Sequence, residues 1–274
     1  MRRKLFCEIS PFCYRISEKK EQLKRWIRDL ADGDDFAALH DTKPLTYLWK
    51  GHTSPMLREL HGVDMQLQYN KITNLKLSGE KIHGLIIKPG QTFSFWRTTG
   101  PCTKSRGYID GLVIRGTSFA ADTGGGICQL ANLIHYMVLH SPLTVTELHH
   151  HSDALFPDSG RRVPFGTGTS VGYNMFDYRF RNDTEGSVQL LIWQEGNMLC
   201  GELRGERELK VRYKLTEEDH CYTKEGEVYY RNSKIKRTAY AKDDGTVAES
   251  EIILVNHSRV MYDPALIPEK ELVL

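Results

Sequence analysis

The sequence predicts an α+β fold: a mixed or antiparallel sheet packed on a buried central helix at 126–140. Two observations carry this. Helical patterns dominate the first half and strand patterns the second, without the regular alternation of a doubly wound sheet. Ile127, Leu130, Leu133, Ile134, Met137 and Val138 fall at helical spacing, which gives the chain its clearest apolar face. A strand returning from such a helix would also allow a papain-like or transglutaminase-like arrangement.

Residues 16–32 predict a helix, with Ser17 as N-cap, Gly33 as stop, and Leu23, Trp26, Ile27 and Leu30 on one face. Its other face carries Lys19, Lys20, Lys24, Arg25 and Arg28. A solvated face explains these bases best, and contact with a membrane surface is the alternative. Segment 34–62 reads as loops, and 68–82 as a helix through Ile72, Leu75 and Ile82. The stretch 84–96 reads as two strands about Pro89-Gly90, and 111–122 as strand leading into Gly124, Gly125 and Gly126. Pro142 closes the central helix, and 143–152 alternates like a strand. Strands follow at 173–182, 187–195 and 198–205, with short ones at 208–214, 227–231 and 251–256.

Composition excludes some functions. A net charge of +2 over 274 residues favours neither nucleic acid nor an anionic membrane through bulk charge. The basic start, Met1–Lys4, lacks the apolar run of a signal peptide, since Glu8, Arg15 and Glu18 interrupt it. Nowhere do about 20 apolar residues run together, so no transmembrane segment is expected and the sequence predicts a cytoplasmic chain. The six cysteines, Cys7, Cys13, Cys102, Cys128, Cys200 and Cys221, form no CxxC pair and read as reduced thiols.

The glycine run is no nucleotide loop. A P-loop needs Lys-Ser/Thr after its last glycine, where Ile127-Cys128 stands, and a dinucleotide loop needs a glycine where Gln129 stands. A sharp positive-φ turn is the simplest account. The N–H groups of Gly124, Gly125 and Gly126, with Gln129, could also hold an anion or an oxyanion. Cys128 then lies in the first helical turn, where the helix dipole favours thiolate. A nucleophilic cysteine needs an oriented base. In a strand, Glu147, His149 and His151 share a face, and the antiparallel return could bring one imidazole to Cys128. Glu147 or Asp177 could orient it, and Asn132 lies one helical turn beyond the cysteine. Cys128, His149 and His151 could alternatively bind zinc with an open fourth position, although no HExxH or CxxC supports this. Otherwise no cofactor is expected, and a small molecule or peptide is the expected substrate. Phe93, Phe95 and Trp96 read as core, and Tyr108 and Asp110 as loop.

The blocks 70–96, 107–116, 124–152 and 177–184, with GGG-x-CQ at their centre, resemble the VanW family, and the likeness spans about residues 45–205. It implies a link to vancomycin-type glycopeptide resistance, in which the namesake is an accessory protein, without implying a defined reaction. Cys128, Gln129 and Asn132 fall on the family's helix block, and His149, His151 and Ser152 on its HxHS block. The resemblance leads one to expect an aspartate where this chain has Gly168, so Glu147 or Asp177 would have to orient a base here. The division expected is a helical segment 1–44, a VanW-like domain 45–205 and a β-rich extension 206–274. Three functions follow: a thiol-dependent amide hydrolase or acyl transferase on a cell-wall-related substrate, a non-catalytic module binding a peptide or carboxylate, or a Cys/His zinc site.

Overall fold

The computed structural model describes residues 5–31, 33–57, 64–115, 118–150, 153–154, 157 and 163–273. The fold is α+β. In chain order it runs α1 (Pro11–Ala31), β1 (Leu39–His40), β2 (Tyr47–Pro55), α2 (Met65–Ile82), β3 (Leu85–Ile87), β4 (Thr92–Ser94), α3 (Phe95–Thr99), β5 (Asp110–Arg115), β6 (Ser118–Thr123), α4 (Cys128–Val138), β7 (Thr144–Glu147) and β8 (Asp153–Ala154). It continues with β9 (Arg179–Arg181), β10 (Val188–Glu195), β11 (Met198–Gly205), β12 (Val211–Glu225), β13 (Val228–Ala241), β14 (Val247–Val260) and β15 (Leu272–Val273).

The central helix is where its apolar spacing puts it. Leu130, Leu133, Ile134, Met137 and Val138 are buried together with Leu75 and Ile82 of α2 and Leu190, Ile192, Leu199 and Leu203 of a sheet. That sheet is antiparallel throughout, in the order β1-β3-β10-β11-β2. α4 presses so closely on β11 that a Cβ at Gly201 would lie 2.8 Å from Leu133 Cδ2. Glycine there lets the helix sit directly on the backbone.

A second, small sheet, β4-β9-β7, pairs Ser94 with Arg179 and Glu147 with Arg179. This register gathers three distant segments into one place. The strands about Pro89-Gly90 form as expected, but β3 joins the first sheet and β4 the second, so they are no hairpin. The stretch before the glycines folds back on itself as the hairpin β5–β6.

Several expectations need correction. The first helix begins at Pro11 rather than near Ser17, with Ser10 Oγ accepting from Cys13 N at 3.2 Å. Its apolar face is exposed, and Arg25 and Asp29 are buried instead, because the body offers that helix charged partners rather than an apolar groove. The 173–182 strand shrinks to Arg179–Arg181, since a turn at Gly172–Phe176 with Asn174 at φ 51° interrupts it. The 143–152 strand stops at Glu147. Beyond 206 the strands are long, not short: β12, β13 and β14 form an antiparallel meander flanked by β15 and β8. Exposed cross-strand pairs such as Lys236–Glu218 and Lys234–Asp219 disguise the strands as charged loop.

Among the described residues, no helix is long and apolar enough to cross a membrane.

Candidate functional site

Two clusters coincide with the residues singled out in the sequence. The first is an ionic node on the small sheet. Arg25 donates from Nη1 to Glu147 Oε1 at 2.8 Å and from Nη2 to Glu147 Oε2, and from Nε to Asp29 Oδ1 at 3.0 Å. Arg179 donates to both oxygens of Asp29, at 2.9 and 2.8 Å, and to Asp177 Oδ2 at 2.8 Å. Asp177 also accepts from the Ser94 hydroxyl, from Trp96 N at 3.1 Å and from Tyr178 N at 2.9 Å. Three carboxylates and two guanidiniums are thereby removed from water, each with several partners, which makes a buried ionic group tolerable.

Glu147 is the hub of the node. It accepts from Asp177 N at 2.9 Å and sits 2.8 Å from His149 Nε2. Burial alone would raise its pKa, but the hydrogen bonds from Arg25, His149 and Asp177 N outweigh it and hold the carboxyl at about 2. Burial likewise opposes the charge on Arg25, and the same acids outweigh it and raise its pKa. Glu147 thus holds the His149 imidazole at hydrogen-bond distance. The His149 ring also packs edge-on against Phe176, with centroids 5.1 Å apart. Asp177 is committed to the node and takes no part in holding the ring.

The second cluster is the glycine turn. Gly124 and Gly126 adopt φ of 81° and 92°, the left-handed region that the sequence predicted. Gly125 lies against β5: a Cβ there would come within 2.2 Å of Gly111 backbone atoms. Asn74 clamps the turn by donating to Gly125 O at 3.0 Å and to Ile109 O at 2.9 Å. Gly124 N and Gly125 N are already bonded to Ile109 O and Asp122 O, so they are not free to form an anion cradle. The Lys71 stem packs against Gly126, and its buried ammonium donates to Gln68 Oε1 at 2.8 Å.

Cys128 opens α4. Its thiol donates to Val171 O at 3.7 Å, and burial pushes its pKa up despite that contact. The expected lowering by the helix dipole is thus outweighed by desolvation. Among the described residues, no hydrogen bond joins Cys128 to His149. His151 lies outside the described residues. Gln129 Nε2 donates to Ser54 Oγ and Pro55 O, both at 2.8 Å, and Asn132 Oδ1 accepts from Thr169 N at 2.6 Å. These two amides tie α4 to β2 and to the 163–172 loop. Among the described residues, no group of three His, Cys, Asp or Glu is arranged to hold a metal ion.

Sequence reasoning put Arg25 on a solvated face and did not single out Asp29, Lys71 or Asn74. The available hint was electrostatic: Glu147 and Asp177 sit in apolar strand patterns, where a carboxylate needs a cation.

The VanW-like protein family matches residues 70–204, and the chain belongs to the VanW family. Among its relatives, Vancomycin B-type resistance protein VanW of Enterococcus faecalis is 28% identical over 262 residues, covering 96% of this chain and 95% of that protein. Uncharacterized protein YoaR of Bacillus subtilis is 28% identical over 109 residues, 40% of this chain and 34% of that protein. No solved structure matches it significantly.

Proposed function

We propose that this chain serves glycopeptide resistance, as the name of its enterococcal relative indicates for that protein, and that it works by binding rather than by covalent thiol catalysis. The observation that carries this is the state of Cys128: its thiol is spent on Val171 O and pushed away from thiolate by burial. The ligand class is a peptide or small molecule with a carboxylate, received beside the glycine turn. There the Lys71 ammonium and the start of α4 supply positive charge. The test is resistance in a host carrying the intact resistance genes, with this chain as wild type, Cys128→Ser, Lys71→Met or absent. Cys128→Ser is expected to match wild type, and Lys71→Met to match the deletion while still folding by circular dichroism. Loss of resistance in Cys128→Ser would overturn the reading.

A second reading, a thiol-dependent amide hydrolase or acyl transferase, draws on His149. Its ring is held by Glu147 and is partly exposed, as a general base would be. It requires His149 or His151 to reach the Cys128 sulfur in the ligand-bound state. It predicts an acyl-enzyme adduct on Cys128, detectable by intact mass after mixing with an activated peptide ester.

A further inference from the structure

Helix α1 is docked by its charged edge. Arg25 and Asp29, each 8% exposed, hold it to Glu147 and Arg179, and Asn174 Nδ2 adds a bond to Gln22 O at 2.7 Å. At 3.6 residues per turn, Phe12, Ile16, Leu23, Trp26, Ile27 and Leu30 fall within an arc of about 100°, centred about 130° from that docked edge. All six face outward: Phe12 is 71% exposed, Leu30 61%, Leu23 57% and Trp26 56%. Phe6 and Ile9, just ahead of the helix, are exposed as well. An apolar strip of this length is rare on a protein that meets only water.

The border of the strip is basic. Lys20 and Lys24 line one side, Arg15 the other, and Lys19 lies within it. Lys19 and Lys24 are bonded only within the helix, to Gln22 and Glu21. Leaving aside Arg25 and Asp29, the helix shows five bases against Glu18 and Glu21. Two copies packed strip to strip would set basic borders against each other, Lys20 and Lys24 against Arg15 in a parallel pair or against themselves in an antiparallel one, whereas an anionic surface complements them. Trp26 at the edge of the strip matches the polar–apolar boundary of a bilayer, and lysine stems can lie over the strip with their ammoniums outward.

We infer that α1 is an interfacial helix that lays its Phe12–Leu30 strip into the surface of an anionic lipid bilayer, with the rest of the protein hung from it through the Arg25–Glu147 and Asp29–Arg179 contacts. This surface is separate from the glycine turn and does not depend on how that site works.

The full chain is tested by co-sedimentation with vesicles of phosphatidylcholine alone and of phosphatidylcholine with phosphatidylglycerol. Binding to the anionic vesicles is expected to be at least about tenfold stronger and to weaken as salt rises. Leu23→Ser/Leu30→Ser alters exposed positions only, so it should keep the wild-type circular dichroism and melting temperature. It should lose about tenfold or more in partitioning. Lys20→Glu/Lys24→Glu keeps the strip and should bind the two vesicle types alike. Sedimentation velocity without lipid separates the rival occupant. A dimer that Leu23→Ser/Leu30→Ser dissociates, with no vesicle binding, would assign the strip to a second copy and overturn the proposal. Vesicle binding unaffected by either double variant would overturn it equally.

Discussion

Arg25 and Glu147 lie 122 residues apart in sequence and meet through both guanidinium Nη atoms and both carboxylate oxygens. Such a forked contact fixes direction as well as distance. It joins α1 to the small sheet at the residue that also holds His149, so the placement of the first helix and the orientation of the candidate base share one carboxylate.

The first prediction concerns that contact. Arg25→Ala leaves Glu147 and Asp29 buried with too little positive charge, and breaking a buried pair from one side costs about 3–5 kcal/mol. Urea denaturation should register a loss of that order. Limited proteolysis should then cut within α1 long before the core is degraded. A variant as stable as wild type, with α1 still protected, would show that the contact contributes nothing to docking.

The second prediction is the acid limb of stability. Glu147 has its pKa held at about 2 against an ordinary 4.5. A depressed carboxyl stabilises the fold above its unfolded value, and that contribution is lost as pH falls from 4.5 towards 2. Three histidines act earlier. Burial, aided by Lys50, pushes His52 to about 4, burial pushes His140 to about 4, and burial with nearby His150 pushes His135 to about 3, all from 6.5. The unfolded chain takes up these protons first, so the histidine contribution is complete above pH 6.5 and is lost as pH falls through 4 and 3. Melting temperature should therefore begin to drop near pH 6.5, before the carboxylate window opens. His135→Gln should flatten the upper part of the slope and Glu147→Gln only the part below 4.5. A melting temperature that stays level down to the carboxylate window would contradict the assignment.

How much of this was legible in the sequence depends on what does the burying. α4 was legible because apolar atoms bury it, and hydrophobic spacing reports that directly. The orientation of α1 was not, because its buried edge is Arg25 and Asp29. Periodicity assigns such residues to solvent, and only knowledge of Glu147 and Arg179 on a distant sheet reverses that. The nearness of Glu147 to His149 follows from their i, i+2 spacing, although the strand ends before the histidine. The engagement of Gln129 with Ser54 and of Asn132 with Thr169 was not readable, since each partner comes from a separate loop or strand. For Cys128 the position in α4 is visible in sequence, but the layer over it, including Val171, is not.

The third prediction follows from that layer. In a variant retaining Cys128 as its sole cysteine, iodoacetamide should label the folded protein more slowly than the urea-unfolded chain at neutral pH. Desolvation raises the thiol's pKa, and its half-buried setting under Val171 slows access to it. The labelling rate should still be climbing at pH 9. Faster labelling in the folded state, with a plateau near neutrality, would restore an activated thiolate and with it the hydrolase reading.

The last prediction separates two glycines that look equivalent in the sequence. At Gly126 an added methyl would sit 2.1 Å from Lys71 Cγ and 2.9 Å from its Cβ, so the buried stem must be displaced, but the clash is with a side chain and not with backbone. Gly126→Ala adds to that displacement the cost of its φ of 92°, about 1–2 kcal/mol. At Gly125 φ is not in the left-handed region, so backbone preference alone would permit alanine there. Yet its methyl would lie 2.2 Å from the carbonyl carbon and oxygen of Gly111, which are held in place by the β5–β6 hairpin. A backbone clash can be relieved only by separating the turn from β5, which also breaks the Asn74 clamp on Gly125 O and Ile109 O. Gly125→Ala should therefore be the more damaging substitution, by at least about 1–2 kcal/mol in urea denaturation, in the range typical of overpacking. The reverse order would mean that the turn is limited by its dihedral angles rather than by its approach to β5.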